Sequence, residues 1–106
     1  MRIFGLKNCD TCRKARKALP DAEFSDVRES PLSDADLDAA LAEFGSDLVN
    51  RRSTTWRELD ESQRNQEDRA LLRAYPTLMK RPLIMADGAL FLGWTKDVQS
   101  AVAERS

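Results

Sequence analysis

Arg2-Ile3-Phe4-Gly5-Leu6-Lys7-Asn8-Cys9-Asp10-Thr11-Cys12-Arg13-Lys14-Ala15 is the stretch that decides the fold of this 106-residue chain. Arg2 to Leu6 is a short run containing β-branched and aromatic residues, closed by Gly5 and Lys7-Asn8, and it reads as a strand. From Thr11 onward Cys12, Ala15, Ala18 and Leu19 recur at helical spacing, while Arg13, Lys14, Arg16 and Lys17 fill the other face until Pro20 stops the pattern. Cys9 therefore stands where a strand hands over to a helix.

Working outward, Ala22 to Val27 is a weaker second strand anchored by Phe24 and Val27. Pro31-Leu32-Ser33 opens a helix in which Ser33 and Asp36 resemble a capping box; Leu37, Ala40, Leu41 and Phe44 form its apolar stripe and Gly45 ends it. Thr55 with Glu58 repeats the capping pattern around Trp56 and Leu59, and a further helix is expected over Glu67 to Tyr75 with Ala70, Leu71 and Tyr75 on one face. After Pro76 the pattern changes. Pro82-Leu83-Ile84-Met85 and Leu90-Phe91-Leu92 flank Asp87-Gly88, the signal of a tight antiparallel hairpin, and Thr95 caps a last helix that turns Val98, Ala101 and Val102 inward. The order strand, helix, strand, helices, hairpin, helix implies a mixed sheet of about four strands covered by helices, in the α/β class.

The length suits one domain with one modest core. A third of the residues are charged, yet the net charge is only −1, which argues against a surface built to coat nucleic acid. Apolar runs are only a few residues long, so neither a signal peptide nor a membrane span is expected; a cytoplasmic protein, acting as a monomer, is. In that reducing compartment a paired cysteine spacing points to redox or metal work rather than to a lasting structural disulfide. The chain has no histidine and only two cysteines, which removes Cys-His and Ser-His activation and leaves too few ligands for a structural zinc site, so no metal is expected.

A thiol attacks as thiolate, and a free cysteine with a pKa of about 8.5 is mostly protonated at neutral pH. At the start of a helix the Cys9 sulfur faces unsatisfied N–H groups and the positive end of the helix dipole. Lys7 and Arg13 are the nearby cations, and with Asn8 they outline a cradle for an oxyanion or carboxylate at the sulfur. Cys12, one turn on, aligns with Ala15 and Leu19; it is the more buried and less acidic thiol, placed to resolve an adduct on Cys9. The alternative for the pair is two small buried hydrophobes. Arg51-Arg52 and Arg81 are distant in sequence, and the residues alone do not bring them to Cys9.

The Asn8–Ala15 run, the middle Asn50-Arg51-Arg52-Ser53-Thr54-Thr55-Trp56-Arg57-Glu58-Leu59 and Lys80-Arg81-Pro82-Leu83 together resemble the ArsC/Spx/YffB family, in order and over nearly the whole chain. That resemblance implies a thioredoxin-like fold with a helical insertion over about residues 31–80. It implies that Cys9 is the catalytic cysteine, that Arg52 and Arg81 surround a bound anion, and that Pro82 is the cis proline beside the sulfur. Trp56 and the short C-terminus look most like the YffB branch, for which the expectation is a thiol/disulfide oxidoreductase with glutathione as co-substrate and no tightly bound cofactor. Two other readings accompany it. The first is arsenate reduction linked to glutathione and glutaredoxin, against which Leu92-Gly93-Trp94-Thr95 lacks the arginine such enzymes place in the last hairpin. The second is a redox-sensing regulator that binds RNA polymerase, like Spx, suggested by the Cys9-x-x-Cys12 pair.

Overall fold

The structure is a computed structural model and describes residues 1–105. Contacts divide the chain into one unit of Met1–Ser30 with Arg81–Ser106 and a second of Pro31–Lys80.

The first unit holds the sheet. Strand β1 (Arg2–Gly5) leads into helix α1 (Asp10–Ala18), followed by β2 (Glu23–Asp26). β1 and β2 are parallel, with Ile3 opposite Phe24. Much later in the chain come β3 (Leu83–Ala86) and β4 (Ala89–Leu92), which form the expected hairpin. Its turn is Asp87-Gly88, with φ of 51° and 80°; two consecutive positive φ values suit a two-residue hairpin loop, and Asx-Gly is the pair that adopts them most easily. β3 joins β1 antiparallel, Ile3 opposite Ile84, so the four-stranded mixed sheet runs β2-β1-β3-β4.

One sheet face carries Ile3, Ile84 and Ala86, and these form a buried cluster with Ala15 of α1 and Val102. Val102 belongs to the closing helix (Lys96–Ala103), whose Thr95 cap accepts a hydrogen bond from the Val98 N–H. Leu19, Phe24, Phe91, Trp94 and Val98 close the edges of the cluster. The helical period in the sequence therefore selects the residues that fill this layer.

The second unit is helical. Ser33 accepts from the Asp36 N–H and starts helix α2 (Asp34–Phe44), which Gly45 ends at φ 57°. A 3-10 turn (Gly45–Leu48) follows, then the short helices α3 (Thr54–Glu58), α4 (Glu61–Arg64) and α5 (Asp68–Ala74), and a second 3-10 turn (Pro76–Leu78). With these in place the closing helix Lys96–Ala103 is α6. Val49 and Met79 form a bridge, the Asn50 N–H donates to the Leu78 carbonyl (2.7 Å) and the Lys80 N–H to the Leu48 carbonyl (2.8 Å). Arg69 ties α5 to α2 through Asp38 and Asp34, and Arg73 joins Asp34 as well.

Two sequence expectations shift here. The cap of α3 is Ser53, not Thr55: Ser53 is held by donating to the Asn50 carbonyl and accepts from the Trp56 N–H, whereas the Thr55 hydroxyl meets that of Thr77. In α5 the buried pair is Leu71 and Leu72 while Ala70 is exposed, because the helix is too short for the longer stripe. α4 was not anticipated. Its signature is legible in the chain, for Asp60 and Gln63 form a complete capping box.

Candidate active site

Cys9 is the N-cap residue of α1, in extended conformation at φ −94° and ψ 121°. A parallel strand feeding a helix through a three-residue turn brings it there: the Cys9 N–H donates to the Leu6 carbonyl and the Arg13 N–H to the Cys9 carbonyl. The turn itself is pinned by Asp26, at the end of β2, whose carboxylate accepts from the backbone N–H groups of Lys7 (3.0 Å) and Arg28 (2.8 Å). Slight burial works against ionisation of Asp26, but those N–H groups, that of Glu29 and the Arg28 charge outweigh it and hold the carboxyl below its ordinary range.

The cation at Cys9 is Arg81. β3 begins at Leu83, which pairs with Phe4 near the end of β1, so Arg81, two residues before it, enters the sheet at the end of β1 that leads to the thiol. Its peptide bond to Pro82 is cis, and Pro82 is fully buried. Burial pushes the Cys9 thiol up, but hydrogen bonding from the Cys12 backbone N–H, from the Cys12 thiol and from Arg81, with the Arg81 charge, overcomes this and leaves Cys9 more acidic than an ordinary cysteine. The sulfur makes no formed side-chain cap.

Cys12 differs in every respect. It is wholly buried, and burial, reinforced by the neighbouring Cys9 and opposed by hydrogen bonding with the Leu6 backbone and by Arg81, pushes its thiol up to about 12. It is a thiol at any physiological pH.

The remaining residues singled out in the sequence are placed as follows. Lys7 is exposed and its Nζ pairs with Glu29 (3.0 Å); Arg13 is exposed and binds Asp10 (3.2 Å) and the Lys7 carbonyl (3.3 Å). Their charges are directed to carboxylates, so Arg81 takes the part that sequence proximity had assigned to them. Asn8 is exposed in the turn. Arg52 is exposed in the second unit, its backbone N–H bonded to Asn50 Oδ1 (3.0 Å). In the same unit Arg51 bonds Asp68 and lies over the Trp56 ring, as does Arg64, each 5.3 Å from its centroid. Two site residues escaped the sequence reading. Asp26 gives no local signal, whereas Gly5, a glycine at the end of a strand, is the usual mark of a close approach by another group. Among the described residues no cluster of three or more His, Cys, Asp or Glu could hold a metal ion, and no helix is long and apolar enough to cross a membrane.

A mixed four-stranded sheet with an acidic cysteine at the head of the first helix and a cis proline immediately before β3 defines a thioredoxin-like α/β protein. The chain belongs to the ArsC family, whose model matches residues 4–102. A protein of Haemophilus influenzae, itself uncharacterized, is 43% identical over 111 residues, covering 95% of this chain and 97% of its own. The global transcriptional regulator Spx of Bacillus subtilis is 31% identical over 105 residues, covering 90% of this chain and 80% of its own. Among solved structures, a YffB protein is 33% identical with a TM-score of 0.83, covering 95% of this chain and 96% of that one. An arsenate reductase (ArsC) related protein of Brucella melitensis is 36% identical with a TM-score of 0.69, covering 97% and 93%. The fold is thus arsenate-reductase-like.

Proposed function

We propose that the protein is a glutathione-dependent thiol/disulfide oxidoreductase working through Cys9. The observation that carries this reading is the convergence of Arg81, the Cys12 donors and the head of α1 on one half-exposed thiol, which favours its anion. Thiolate Cys9 attacks the glutathione sulfur of a mixed disulfide; the S–S bond breaks, Cys9 becomes glutathionylated and the substrate leaves as thiolate, taking a proton from water. A second glutathione thiolate then attacks the glutathione sulfur of the adduct, releasing glutathione disulfide and restoring the Cys9 thiolate. Glutathione supplies the two electrons. Arg81 and, on the family resemblance, Arg52 bind a carboxylate of the substrate, an interaction for which guanidinium is well shaped. The same chemistry suits a cytoplasmic setting with no tightly bound cofactor.

The test is steady-state turnover of a small glutathione mixed disulfide, beside arsenate with glutathione and glutaredoxin. We expect turnover of the disulfide and a Cys9–glutathione adduct visible by mass. Arsenate turnover is expected to be slower by an order of magnitude or more, because Leu92-Gly93-Trp94-Thr95 supplies no further cation and a hydrogen bond to a charged group contributes about 1.5–3 kcal/mol. Robust arsenate turnover would instead make the protein an arsenate reductase. The Cys9-x-x-Cys12 spacing and the Spx relatives favour one other reading, a redox-responsive regulator. Absence of both turnovers together with tight binding to RNA polymerase would establish it in place of the enzyme.

A further inference from the structure

The charged side of α1 continues past the thiol. Arg13 and Arg16 follow Cys9 at helical spacing, so they stand on the same side of α1 as the cap residue, while Cys12 and Ala15 turn inward. Beyond Arg13 that side opens into a cleft of about 480 Å³ between the second half of α1 and the edge strand β2. Arg13, Arg16 and Lys17 rim the cleft, and Leu19, Ala22 and Phe24 give it apolar walls. No carboxylate lines it, because side chains alternate along β2: Phe24 packs on the α1 side and its neighbours Glu23 and Ser25 point to the other. The Arg16 guanidinium lies 4.1 Å from the Phe24 ring centroid, a stack that fixes the cation and leaves its N–H edge for a ligand. Arg13 is paired with Asp10, whereas neither Arg16 nor Lys17 has a carboxylate partner among the described residues. The C-terminal end of a helix carries about half a negative charge, which two cations more than offset, so a positive surplus remains.

We propose that this cleft docks the protein half of a glutathione mixed disulfide and that it takes an acidic peptide segment with one apolar side chain. The proposal rests on the reading of Cys9 as the working thiol and names the substrate class of that reaction: glutathionylated proteins with Asp or Glu residues near the modified cysteine. The spacing sets how near. From Cys9 to Arg16 and Lys17 is about 10–12 Å along a helix, a distance that an extended chain covers in about three or four residues. The acidic residues therefore stand about three to five positions from the cysteine. A small inorganic anion would leave the walls of Leu19, Ala22 and Phe24 unused, and a chain of net charge −1 has no surface for a long nucleic-acid backbone. A short acidic peptide uses both the cations and the walls.

The experiment compares kcat/KM for synthetic peptides of equal length, each with one S-glutathionylated cysteine and one leucine, carrying aspartates, serines or lysines about four and five positions to either side of the cysteine. At low salt the full chain should prefer the aspartate over the serine peptide by about threefold to tenfold, as two exposed ion pairs allow, and about 1 M salt should erase the preference. Lys17→Glu and Arg16→Glu should each abolish it, while Lys14→Glu, the same charge change outside the cleft, should retain most of it. Because the preference is a ratio, a change in Cys9 reactivity common to the peptides cancels. Lys17 is exposed and stacks on no ring, so Lys17→Glu carries the test even where Arg16→Glu fails to fold. Equal kcat/KM for the aspartate and serine peptides, a preference that survives Lys17→Glu, or one lost equally in Lys14→Glu overturns the proposal. A second arm reads binding without chemistry, by fluorescence anisotropy of the labelled aspartate peptide with serine in place of cysteine. It should bind more tightly than the lysine peptide and weaken in Lys17→Glu; a single-stranded oligodeoxynucleotide that binds more tightly still overturns the peptide as occupant. Binding as expected in a protein that turns over none of the mixed disulfides upholds the cleft and removes the oxidoreductase reading.

Discussion

At the scale of single residues, acidity is divided unequally between two thiols one helical turn apart. Alkylation at neutral pH should fall on Cys9 alone, with a midpoint below the ordinary cysteine value and Cys12 untouched, as peptide mass mapping will show. Arg81→Ala should raise that midpoint by about one unit, the lower end of what a charge-assisted hydrogen bond contributes, because Cys9 is partly open to solvent. Cys12 adds a pH effect on stability. Its folded pKa is raised from 9.0 to about 12, so its stabilising contribution is complete below pH 9 and is lost as pH rises towards 12. Urea unfolding between pH 8 and 11 should therefore show a decline in the parent chain that is shallower in Cys12→Ala. Asp26 acts in the opposite direction. Its lowered pKa gives stability that is present above 3.8 and lost as the pH falls through the folded value, and Asp26→Asn should flatten the acid limb. Cys9 and Cys12 were legible in the sequence as a spacing at a strand-to-helix junction. The cation that serves Cys9 was not, because Lys7 and Arg13 are closer in the chain yet are drawn to Glu29 and Asp10, and Arg81 arrives only through strand pairing.

At the scale of elements, local signals were reliable where one residue closes a helix or turn and weaker where two candidates compete. Ser33, Gly45, Thr95 and Asp87-Gly88 sit where sequence puts them, each performing a task that few residues can. Ser53 and Thr55 both precede Trp56 with cap chemistry, and the choice fell to Ser53 because Asn50 holds its hydroxyl. Ser53→Ala should cost about 1 kcal/mol by thermal or urea unfolding, and the local loss should appear as faster amide exchange at Trp56. At the hairpin, Gly88→Val should cost about 1–2 kcal/mol, the expense of a β-branched residue at φ 80°. The short helices α4 and α5 show the limit of periodicity, since four and seven residues give too few turns for a stripe to be counted.

At the scale of the whole molecule, the α/β class follows from element order alone, but strand order does not. Nothing in residues 2–5 or 83–86 records that these segments are neighbours; their pairing is selected by the shared burial of Ile3 and Ile84 in one cluster. Ile84→Ala should accordingly cost about 2–5 kcal/mol in urea unfolding, far more than the turn or cap substitutions, since it empties the middle of the sheet. The bridge between Val49 and Met79, with its flanking bonds from Asn50 and Lys80, has a consequence for how such a chain can change over generations. It joins the two ends of the intervening segment at a neck, making that segment a closed loop whose entropic cost of closure rises only with the logarithm of its length; doubling it costs about 0.6 kcal/mol. Added or lost residues between the helices there are therefore thermodynamically tolerable, whereas a proline at Asn50 or Lys80 would remove a neck donor and open the loop. Length is free to drift inside the neck and is held fixed at it.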